Sequence, residues 1–198
     1  MPTKTLYLNG KLVCEYDAPA DQQAEIELCR KLLEDRGLWK PISSERTIFN
    51  QAVAFANASA IIYERDLSTT PVKNGNSAVP FIVNSSFATE LYLKAICLLN
   101  GNVVRGHQLD KLFGIIPAAG LARIEQKLHT LAPNNAWRSG ILTPADLLEL
   151  FRRHRDAFVR WRYVHEQAQL EQFHFRDAIF AMQVLHETCC EYPQIGSA

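Results

Sequence analysis

Apolar positions recur along this chain with two periods. From Thr5 to Tyr16 (TLYLNGKLVCEY) they form two short strand-like runs around Asn9-Gly10, a pair that favours the left-handed angles of a tight turn, so a small hairpin is predicted. Pro19 and a capping carboxylate within Asp17–Asp21 then lead into a helix in which Ile26, Leu28, Cys29, Leu32 and Leu33 recur at helical spacing until Gly37. Ser43 or Ser44 can cap a second helix, carried by Ile48, Ala52, Phe55, Ala56, Ser59, Ile62 and Tyr63. Pro71 and Asn74-Gly75-Asn76 make Leu67 to Val79 a loop. A third helix is expected from Pro80 to Asn100-Gly101. Phe87, Leu91, Ala95 and Leu98 form its stripe, which Ile82, Val83, Ala88, Ile96 and Leu99 widen, so this helix should be central and nearly enclosed.

Leu109, Leu112 and Phe113 suggest a short helix, Leu121 to Leu131 another, and Ala132 to Leu142 a linker rich in Pro, Asn and Gly. Thr143-Pro144-Ala145-Asp146 combines a hydroxyl cap, Pro at the first position and an acid at the third, the signature of a helix start. One helix is predicted from there to about His165, and a last one from Phe175 to Cys190, ending before Pro193. The fold class that follows is all-α, with residues 1–40 a hairpin-and-helix appendage and residues 44–191 the helical bundle.

Composition narrows the function classes. Of 198 residues 47% are hydrophobic, and 21 Lys and Arg balance 21 Asp and Glu, so no whole-molecule field draws the chain to nucleic acid or membrane. Any such affinity is local. The first residues lack the apolar run of a signal peptide, and Asn84, Glu90 and Lys94 interrupt the richest apolar stretch, Phe81 to Leu99; a cytoplasmic protein without membrane association is expected. The five cysteines show neither CxxC nor zinc spacing and read as reduced thiols.

The chemistry concentrates between Phe151 and Glu166 (FRRHRDAFVRWRYVHE), where five arginines face only Asp156 and Glu166. On an uninterrupted helix Leu147, Phe151, His154, Phe158, Arg162 and His165 share one side, with Trp161 beside them. A stripe that begins apolar and ends in Arg and His must border a polar cleft, an acidic neighbour or another subunit, because buried charge needs a partner. Guanidinium can bind a phosphate oxygen and imidazole can exchange a proton near neutral pH. Together they suffice for metal-independent attack of an RNA 2′-hydroxyl on its phosphodiester. Motifs for a metal cluster, a phosphate loop or a serine-hydrolase elbow do not occur, and neither metal nor cofactor is expected.

Asn84 to Gly101 (NSSFATELYLKAICLLNG), followed by Gly106-His107-Gln108-Leu109-Asp110-Lys111-Leu112, resembles the first half of a HEPN domain, a helical family of higher eukaryotes and prokaryotes. Arg160-Trp161-Arg162-Tyr163-Val164-His165 is similar to that family's Arg, four residues, His motif. The resemblance spans residues 44 to 190. It implies an up-and-down helical bundle, commonly a homodimer in which two motifs meet. It also implies either a metal-independent endoribonuclease of toxin or antiviral type, or a non-catalytic module that binds nucleotide, RNA or a protein such as an antitoxin in stress or phage defence. By that match Arg160 would hold phosphate and His165 would be the acid or base, with Asn84, Glu90, Arg162 and Tyr163 supporting.

Several residues favour the non-catalytic branch. Trp161 stands where active members usually carry Asn, Asp or His, Gln167 stands where modified relatives carry Tyr, and Arg162-Tyr163 with Glu166 fits an inactive form. On an ideal helix Arg160 and His165 lie about 140° apart, so they converge only if the helix bends or ends there, or across subunits. Arg162 is better placed to act with His165, or else to pair with Glu166. Glu90 and Lys94 read as a surface i,i+4 pair, His107 as a turn or cap residue, and His154 as a satisfied interior or interface histidine.

Overall fold

A computed structural model describes residues 2–137, 139–163, 165 and 172–196. These residues are mostly helical, with one small antiparallel hairpin, and the chain divides into two compact units, Met1–Ile42 and Ser43–Ala198.

In the first unit strand β1 (Thr3–Leu8) pairs with β2 (Lys11–Asp17), with an irregularity in register between Leu6 and Tyr7. Asn9 (φ 51°) and Gly10 (φ 76°) make the turn, both in the left-handed region that a two-residue hairpin requires. Helix α1 (Gln22–Asp35) starts on Asp21, whose carboxylate accepts from Ala24 N at 2.7 Å. It closes at Gly37, where Leu38 N donates to Leu33 O and Gly37 N to Glu34 O, satisfying carbonyls that the helix end would orphan. Tyr16 and Lys4 both donate to Glu25, tying hairpin to helix. No residue of α1 is fully buried.

The second unit holds both hydrophobic clusters. Helix α2 (Ser44–Ile62), capped by the Ser43 hydroxyl, runs on into a π-helical turn over Tyr63–Leu67. Helix α3 (Ala78–Leu99) is the centre of the bundle, with α2, α8 and α7 packed on it. Gly75–Leu99 is long and apolar enough to cross a membrane, so Asn84, Glu90 and Lys94 do not interrupt it as expected; 67% of its most apolar window is buried in the fold, as befits a core helix. Helices α4 (Leu109–Gly114) and α5 (Ala118–Leu131) follow, then α6 (Pro144–Arg153), α7 (Ala157–Arg162), α8 (Phe175–Cys190) and a short α9 (Pro193–Gly196) that the sequence reading lacked.

The single helix expected from Thr143 to His165 is corrected by the structure. It starts as predicted, with a reciprocal capping box between Thr143 and Asp146, but breaks at His154–Asp156. Long-range partners hold the break. Leu109 N donates to Arg155 O, Arg155 Nη2 donates to Gln108 Oε1 at 2.9 Å, and Arg155 pairs with Asp110 at 3.3 Å. Gln108 in turn donates to Asp156. A charged residue that an unbroken helix would leave in solvent is thereby pinned to the start of α4.

Candidate functional site

Because the chain turns at His154–Asp156, α7 packs across α3. Phe158 lies flat on Phe87, with ring centroids 4.6 Å apart and planes 17° from parallel. Phe87 is braced edge-on by Phe55 of α2. The Arg162 guanidinium, one turn after Phe158, sits 4.4 Å from that ring's centroid and 5.4 Å from the ring of Tyr163. Cation–π contact orders the guanidinium without neutralising it, and the residue stays exposed.

Beside this stack Glu90 is 1% exposed. Its Oε1 accepts from Lys94 Nζ at 2.7 Å and lies 3.0 Å from His107 Nδ1, and its Oε2 is buried without a hydrogen-bond partner. The Glu90–Lys94 pair is thus anchored inside the bundle, a correction to the surface reading. His107, expected only to shape a turn, is the third member. Facing a carboxylate, its Nδ1 carries the proton, which leaves Nε2 of a mostly exposed imidazole as the acceptor in the neutral form. The His107 ring centroid is 6.3 Å from that of Phe158, so the Glu90 cluster and the Arg162 stack adjoin. Periodicity could not reveal this, since His107 reaches Glu90 from a loop 17 positions away.

Of the sequence-derived site residues, the structure brings Arg162 and Tyr163 into contact and joins them to Glu90 through Phe158 and His107. Asn84 is half-buried on α3, and its amide makes no hydrogen bond among the described residues. Arg160 and His165 are exposed and lie on either side of the end of α7. Val164, Glu166 and Gln167 lie outside the described residues, and with them the proposed Arg162–Glu166 pair. Other arginines of the run are tied elsewhere, Arg152 and Arg153 to Glu149 and Arg155 to Asp110. His154 is interior, as predicted: its Nε2 accepts from His174 N, its ring contacts Phe173, and burial pushes its pKa down to about 4. Among the described residues the cysteines are free, and burial pushes the Cys97 thiol up to about 11.

The arrangement can hold an anion at Arg162 and stack a planar group on the neighbouring ring of Tyr163, with an oriented imidazole alongside. Comparison of the chain with protein-family models finds no match, and comparisons with curated proteins and with solved structures find none either.

Proposed function

We propose that the chain is a HEPN-like helical module of the cytoplasm that binds single-stranded RNA or a nucleotide without cleaving it, acting as a homodimer. The observation that carries this reading is the exposed Arg162 guanidinium laid over Phe158 and against exposed Tyr163. Ordered cations next to aromatic rings suit a ligand with both phosphates and bases, since one binds charge and the other a π-face. The pairing of Arg152, Arg153 and Arg155 with carboxylates supports a compact site at the end of α7 rather than a long basic stripe.

Fluorescence anisotropy with a labelled ten-nucleotide single-stranded RNA, in EDTA and low salt, tests it. Micromolar binding is expected that weakens as salt rises. Arg162→Ala should lower affinity about fivefold to tenfold, as loss of a charge-assisted phosphate contact does, and the RNA should remain intact on a gel. Absence of binding at about a hundred micromolar, far above non-specific affinities at such salt, would remove the reading.

One observation favours a second reading, a metal-independent endoribonuclease using Arg160 and His165. Helix α7 ends at Arg162, so His165 is released from the helical phase that would hold it away from Arg160. Cleavage by the wild type that disappears in His165→Ala would establish that reading in place of the first.

A further inference from the structure

Away from the α3–α7 face, a cavity of about 580 Å³ opens between the turn that follows α2 and the start of α8. Tyr63, Leu67, Val72, Ala78 and Phe175 give it apolar wall, and Ser68, Thr69 and Thr70 line it with hydroxyls. The two aromatic walls are fixed from behind, Tyr63 against Phe81 and Trp137, and Phe175 against Phe81 and Phe173. A recess of this size with two braced aromatic walls lies within the range of small-molecule sites.

The start of α8 contributes the ionisable groups. Arg176 lines the cavity, is exposed, and forms no ion pair among the described residues. His174 lines it too, with its Nδ1 shut off from the cavity space. Asp177, the acid at this end, has its carboxylate taken up by the Ser139 hydroxyl at 2.7 Å. The recess therefore offers aromatic walls and, on the α8 side, the Arg176 guanidinium next to the Asp177 carboxylate.

We propose that this cavity binds a small aromatic monocarboxylate, its ring system against Tyr63 and Phe175 and its carboxylate on Arg176. A planar two-oxygen anion matches the guanidinium fork. Asp177 keeps its charge on this side, so a monoanion meets less repulsion there than a dianionic phosphate would. This site is independent of the RNA reading.

Isothermal titration of the full chain with 2-naphthoate, and with the neutral 2-naphthamide as its control, tests the proposal. One naphthoate per chain is expected, with the amide at least about tenfold weaker, the scale of one charge-assisted contact. Arg176→Gln should weaken naphthoate by a similar factor and leave the amide unchanged. Ala78→Phe should abolish both by filling the recess, and Val72→Trp serves the same purpose if circular dichroism shows the first variant unfolded. Equal binding of acid and amide, no binding of either at millimolar concentration, or unchanged naphthoate affinity in Arg176→Gln would each overturn it.

Discussion

At the joint between α6 and α7, His154 lies 7% exposed against Phe173, with Arg153 and His174 as neighbouring like charges and Asp177 the opposing one. Burial disfavours the imidazolium most, followed by His174, so the folded-state pKa falls from 6.5 to about 4. The unfolded chain thus binds the proton more tightly than the native one. The neutral ring's contribution is fully present above the unfolded value and is lost as pH falls through the window from 6.5 to about 4. Between pH 7.5 and pH 5 this group should cost about 2 kcal/mol of stability. Urea unfolding of wild type and His154→Phe at both pH values measures it, since the carboxylates elsewhere titrate in both proteins; an identical acid loss in the variant would contradict the assignment. Glu90 is a second residue whose setting, not its type, decides its behaviour. Its spacing to Lys94 is that of an ordinary surface pair, and only the enclosure of α3 and the arrival of His107 make it the buried centre of a three-residue cluster.

Elements were legible in the sequence wherever the signal is local. Asn9-Gly10, Gly37, Ser43 and the Thr143–Asp146 box each act within a few residues, and each marks the boundary at which its element starts or stops. The capping box illustrates the energetics: Thr143 Oγ1 accepts from Asp146 N at 3.3 Å while Asp146 Oδ2 accepts from Thr143 N at 2.9 Å. Thr143→Ala should cost about 1 kcal/mol, and Asp146→Ala a similar amount. Because both remove the same reciprocal pair, the double variant should fall short of their sum; additive shifts in urea midpoint would show that the two caps act separately. The break at His154–Asp156 was not legible, for a physical reason. Leu147, Phe151, His154 and Phe158 keep helical phase straight across it, and what opens the chain there is bonding to Gln108, Leu109 and Asp110, more than forty positions away. The candidate site inherits that split. Arg162 and Tyr163 could be picked out from local pattern, whereas the stack on Phe87 and the His107 contact depend on where α7 comes to rest.

Over the whole molecule, charge is balanced and the core is confined to one unit. Both hydrophobic clusters draw their buried residues from the range Phe49 to Ile195, whereas in residues 1–42 the buried hydrophobic inventory is Ala18 among the described residues. A two-stranded hairpin and one amphipathic helix bury too little apolar surface to be stable alone. The 43–198 piece, which contains Arg162, Phe158, Glu90 and His107, should accordingly fold by itself and retain the RNA affinity of the full chain. The proposed homodimer adds a mass criterion. Val159 on α7 keeps 37% of its surface exposed, an apolar position beside the candidate site that a second copy would cover. A stable interface buries roughly 800 Å² on each partner, so association through α7 would enclose the ends of both helices and set two Arg162 side chains near one ligand. Light scattering of the full chain at micromolar concentration should give twice the 22.4 kDa chain mass, and Val159→Glu, which would place a carboxylate in that contact, should reduce it to the single-chain value while leaving the helical circular dichroism unchanged. A single-chain mass for the wild type across that range would exclude the dimer.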